Sequence, residues 1–76
     1  MIEERIQHII ATALGIDEAT ITENTSIENV EKWDSLQHLS LVIALEEEFK
    51  IKFDDREMPE LTSFSAIRES LIKKLQ

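Results

Sequence analysis

Trp33-Asp34-Ser35-Leu36-Gln37-His38-Leu39-Ser40-Leu41-Val42-Ile43-Ala44-Leu45-Glu46-Glu47-Glu48-Phe49 is the stretch whose reading decides the fold. Asp34 is an N-cap residue, since its carboxylate can accept backbone N–H groups two or three positions on. The spacing predicts a helix over 35–49, with Gln37 placed where a capping-box side chain reaches back. Ser35 then stands in the first turn, at the positive end of the helix dipole, a position that favours a phosphate. At 3.6 residues per turn, Leu41, Val42, Leu45 and Phe49 share one side. Leu36, Leu39 and Ile43 fall on an adjacent side, with Glu47 beside them. The first group suffices for a core. The second is expected to stay exposed as a binding surface unless another helix covers it.

Upstream, Ile2, Ile6, Ile9, Ile10 and Ala13 form one apolar stripe, which predicts a first helix over 2–14. The chain's one glycine, Gly15, follows directly and is expected to end that helix in a left-handed conformation. Arg5 and His8 are expected on its solvated flank. Residues 16–34 read as a long connection pinned by Ile16, Ile21, Ile27 and Val30, with a short turn over 27–31 capped by Thr25 or Ser26. Such long loops are uncommon in compact domains unless they are functional or packed. Downstream, Ile51 and Phe53 alternate with Lys50 and Lys52 in a short extended segment. Residues 54–58 suit a turn or short third helix that stops before Pro59. Thr62 or Ser63 caps a last helix whose stripe is Phe64, Ile67, Leu71 and Leu75, with Lys73 and Lys74 favourably near its C-terminus. The sum is an all-α bundle of three or four helices with one long crossing loop.

Composition narrows the function. The 76 residues allow one domain, 1–76, with one modest core. A net charge of −8, with 16 acidic against 8 basic residues, disfavours nucleic acid, because phosphate binding needs a basic footprint. Acidic surface suits docking onto basic patches of other proteins. With no cysteine there is no disulfide, zinc-thiolate site or thiol nucleophile. No apolar run is long enough for membrane insertion and no signal-peptide pattern opens the chain, so a cytoplasmic, soluble monomer is expected.

Asp34, Ser35 and His38 raise the possibility of nucleophilic catalysis, but side chains on neighbouring turns of one helix project in parallel rather than toward one reacting atom. No glycine-rich loop offers an oxyanion hole, and His8 and His38 lack metal-ligand spacing. No catalytic or metal residue is therefore assigned. A displayed serine without catalytic partners reads as a substrate to which something is attached.

The Asp34-Ser35-Leu36 signature, followed by Leu41-Val42-Ile43-Ala44-Leu45-Glu46-Glu47-Glu48-Phe49, resembles the second helix of acyl carrier proteins. The order of elements agrees along essentially all 76 residues. The resemblance implies a four-helix bundle, three longer helices plus one short one, with the long loop between the first and second. It also implies that Ser35 is esterified by 4′-phosphopantetheine, donated by coenzyme A through a separate phosphopantetheinyl transferase. The thiol of that arm holds acyl groups as thioesters. Asp34 is implied to contact the transferase and its metal-bound coenzyme A. Leu36, Gln37, Leu39, Ser40, Ile43, Glu46 and Glu47 are implied to face acyl-loading, acyl-transfer or condensing enzymes. The core around Leu41, Leu45, Phe49, Phe64 and Ile67 is implied as a shelter for an acyl chain.

Against the housekeeping fatty-acid carriers, Gln37 and Ser40 stand where acids are usual, and Trp33 and His38 are atypical. Trp-Asp-Ser-Leu-x-His is similar to stand-alone carriers of specialised pathways with small acyl, polyketide or aminoacyl cargo. A peptidyl or aminoacyl carrier is the near alternative. A helical interaction module without any prosthetic group is the alternative from a different class.

Overall fold

The computed structural model describes residues 2–76 and contains three helices: α1, Ile2–Leu14; α2, Ser35–Phe49; and α3, Phe64–Leu75. Single 3-10 turns at Glu18–Thr20 and Met58–Glu60 punctuate the two connections, and the described residues form no strand. In α1 the predicted stripe is inward: Ile6, Ile9, Ile10, Ala11 and Leu14 are buried. Gly15 has φ 67°, and the Ile16 N–H donates to Ala11 O at 3.0 Å, the six-to-one bond that closes a glycine-terminated helix. Arg5 lies on the exposed flank, as expected, but it is not idle there. Its guanidinium pairs with Glu48 at 2.9 Å and lies over the Phe49 ring, so it ties α1 to α2. His8, which stays exposed, contacts Glu18 at 2.9 Å.

The long connection is held as much by backbone as by side chains. Ile21 is buried, and Ile16 and Val30 pack against the core. Ile27, expected inside, is 37% exposed; its N–H instead donates to Thr62 O at 2.9 Å. The Phe64 N–H donates to Thr25 O, also at 2.9 Å, and with the Ser26–Ser63 bridge this staples the loop to the start of α3. From α1, the Gln7 amide donates to both Glu18 O and Ile21 O at 3.0 Å. Ser26 supports the turn after it by accepting the Glu28 N–H, whereas Thr25 is buried and accepts the Thr22 N–H. The loop thus brings α2 back across α1 with Asp34 at its threshold.

Past α2 the third segment takes the turn form of the expectation, but its boundary at Pro59 differs. No helix forms before Pro59; residues 55–57 turn, and the 3-10 turn Met58–Glu60 includes Pro59 itself. Proline fits because a residue in the first turn has no intrahelical acceptor for an N–H in any case. Glu57 steadies the turn by accepting the Asp54 N–H and pairing with Lys74 at 2.8 Å, and these contacts hold its carboxyl below the usual range. Ser63, rather than Thr62, caps α3 by accepting the Ala66 N–H. Phe64, Ile67 and Leu71 are buried, while Leu75, the last member of the predicted stripe, is 47% exposed where the helix runs past the bundle.

α2 ends without a glycine. Lys50 adopts φ 55°, ψ 50°, and the Ile51 N–H closes onto Glu46 O. A β-carbon in this conformation costs about 1 kcal/mol, part of which glycine returns through its freer unfolded chain. Lys50→Gly is expected to stabilise the domain by about 0.5 kcal/mol, visible as a thermal midpoint raised by roughly 2–4 °C. A lowered midpoint would mean that the Lys50 side chain contributes more than its backbone conformation costs.

Candidate functional site

The amino end of α2 is built by its cap. Asp34 is extended, with φ −101° and ψ −176°, and its Oδ1 accepts the Gln37 N–H at 2.9 Å while its carbonyl accepts the His38 N–H at 2.8 Å. The capping box expected of Gln37 is only half formed: its backbone is capped, but its side chain makes no return bond to Asp34 among the described residues. Among the described residues the amides of Ser35 and Leu36 find no acceptor, as expected of the first turn of a helix. Ser35 is exposed, its hydroxyl has no partner among the described residues, and Leu36 beside it is 70% exposed. An oxygen on Ser35 can therefore carry a bulky ester into solvent with two free N–H donors nearby. The residues fit a phosphopantetheine ester.

Two faces diverge along α2. Leu41, Val42, Leu45 and Phe49 are buried, as expected, and with Phe64 and Ile67 they form the shared core. Leu39 and Ile43, each 47% exposed, continue the apolar strip that Leu36 begins. Ser40 and Glu47 lie to one side of that strip and line an open groove of about 480 Å³ against His8, Ile9, Thr12 and Ala13 of α1. Glu46 is partly buried: its Oε2 accepts the Phe53 N–H at 2.8 Å, so one oxygen fastens the segment after the helix. Glu48 is engaged by Arg5. Of the three consecutive acids, Glu47 alone has no hydrogen-bond or ion-pair partner among the described residues.

Trp33 and His38 were legible as unusual residues, but not as partners. The indole is only 2% exposed, and its Nε1–H donates to His38 Nδ1 at 3.0 Å. The rings stack with centroids 6.2 Å apart and planes 25° from parallel. The signal for this contact is their five-residue spacing: around an Asp34 cap they occupy the N′ and N4 positions that close a hydrophobic staple. Trp33 therefore serves the interior of the bundle.

The family described as "Phosphopantetheine attachment site" matches residues 4–71. Among solved structures, the chain is similar to a holo acyl carrier protein from Geobacter metallireducens, determined by solution NMR. The two superpose with a TM-score of 0.84 at 30% identity, covering 96% of this chain and 84% of that one. Family, fold and the open serine-bearing helix end agree. The chain belongs to the phosphopantetheine carrier proteins of the acyl carrier type: a non-catalytic domain that works through covalently bound 4′-phosphopantetheine.

Proposed function

We propose that Ser35 is the residue that bears 4′-phosphopantetheine, and that the exposed strip of α2 presents the loaded arm to enzymes of a specialised pathway. One observation carries the choice of serine. The Ser35 hydroxyl is exposed at the first position of α2, beside two amides, and all three lack a hydrogen-bond partner among the described residues. The prosthetic group supplies the thiol that this cysteine-free chain lacks, and acyl groups ride on it as thioesters. Asp34 fixes the start of the helix and forms part of the surface read by the phosphopantetheinyl transferase. Leu36, Leu39 and Ile43 supply apolar contact, and Glu47 supplies charge to acyl-loading and acyl-transfer or condensing enzymes. Gln37 and Ser40 leave this face with less charge than acids there would give, which supports a dedicated partner set. The chain is taken to act as a single domain and a monomer in the cytoplasm.

Incubation with a phosphopantetheinyl transferase and coenzyme A tests the assignment. Intact-mass measurement should show one phosphopantetheine added, and peptide mapping should place it on the peptide containing Ser35. Modification of a different residue would overturn the choice of serine.

Glu47→Lys is expected to slow association with a basic partner enzyme severalfold at low salt, with little effect on dissociation, because exposed charges mainly steer encounter. Stopped-flow binding at two ionic strengths checks this: the difference should shrink as salt screens the pair. Equal association rates at low salt would remove Glu47 from the docking face.

A further inference from the structure

Besides receiving the Trp33 N–H, His38 reaches a second partner: its Nε2 lies 2.8 Å from the carbonyl oxygen of Met58. An indole N–H can only donate and a carbonyl can only accept. The ring between them therefore accepts at Nδ1 and donates from Nε2. One ring thus links the residue before the Asp34 cap, the second turn of α2 and the 3-10 turn Met58–Glu60.

That turn needs external support, because a three-residue 3-10 turn is not stable by itself. The segment around it is anchored by buried Phe53 on one side and buried Leu61 on the other. Between those anchors, Glu57–Lys74 ties it to α3 and His38–Met58 ties it to α2. The Met58 carbonyl also accepts the Leu61 N–H, at the longer distance of 3.3 Å.

We propose that Trp33 and His38 are positioning residues, whose hydrogen-bonded chain to the Met58 carbonyl locks the serine-bearing first turn of α2 to the 58–60 turn. The Asp34 cap fixes one end of this chain and the Glu57–Lys74 pair steadies the other, so the ring closes the link between them.

Nitrogen NMR of the intact chain tests the lock, using Trp33 as its only indole. At alkaline pH the His38 ring should show hydrogen on Nε2 and none on Nδ1. His38→Ala should speed exchange of the Trp33 indole N–H and the Leu61 amide by roughly five- to tenfold, the loss expected for one hydrogen bond. His38→Gln, whose amide can both accept and donate, should recover most of that protection. An Nδ1–H tautomer, or unchanged indole exchange in His38→Ala, would overturn the proposal. The consequence for loading rests on Ser35 as the attachment site: His38→Ala should slow phosphopantetheine transfer severalfold, and His38→Gln should recover most of the rate. An unchanged rate in His38→Ala beside a released lock by NMR would overturn that coupling. Absence of any transfer to Ser35 in wild type would instead count against the choice of serine, with the NMR result standing by itself.

Discussion

Ser35→Ala is expected to abolish phosphopantetheine transfer completely while leaving the fold intact. The chain has five other serines, and each is a poor substitute for a physical reason. Ser26 and Ser63 are bound as turn and cap, accepting the Glu28 and Ala66 N–H groups, and Ser65 donates to Glu23 O. Ser70 is half-buried on α3. Ser40 is exposed, but it sits mid-helix in the groove against α1, where every neighbouring amide is already spent within the helix. The Ser35 side chain supports none of its surroundings. Its loss should change stability by less than about 0.5 kcal/mol, the usual range for a surface substitution. Intact-mass measurement should show no increment, and the circular dichroism melting curve should overlay that of wild type. A persistent increment on the alanine variant would transfer the role to another hydroxyl.

Much of this architecture was open to inspection in the residues. The limits of α1 and α2 follow from an apolar stripe stopped by Gly15 and from an Asp34 cap, which are local signals. The division of α2 into buried and exposed sides follows from helical geometry alone. What could not be read depended on contacts distant in the chain. Ile27 looked like an anchor because it is apolar, yet the loop is held there by its backbone, through Thr62 and the Ser26–Ser63 bridge. Arg5 and Glu46 looked solvated or available for partners, but tertiary neighbours bind both. The end of α2 at Phe49 agrees with the sequence reading, but the left-handed conformation of Lys50 carried no glycine signal. At the site, the displayed serine was legible from Asp34 and helix polarity. The reach of His38 to Met58, twenty residues on, was not.

The two sides of α2 also define the sharpest contrast in stability. Leu45 is fully buried in the third turn of the helix, in a core cluster that draws on all three helices. Alanine is the better helix former, so Leu45→Ala leaves the backbone unperturbed and isolates the lost packing. Truncating such a leucine costs about 2–5 kcal/mol, against a total stability of about 4–11 kcal/mol for a domain of this length. The thermal midpoint should fall by roughly 10–30 °C, enough to leave the weaker outcomes partly unfolded at ambient temperature. Ile43→Ala, two residues away on the 47% exposed side, should shift the midpoint by only a few degrees. Thermal denaturation of both variants, followed by circular dichroism, makes the comparison. A loss at Ile43 comparable to that at Leu45 would mean that the exposed strip supports the fold. A small loss at Ile43, accompanied by weaker capture of a partner enzyme, fits the division by which α2 gives one side to the core and keeps the other for recognition. A helix apolar around so much of its circumference exposes surface that a simple core helix would bury. Contact with partners is the use proposed for that surface, and the measurement at Ile43 isolates it.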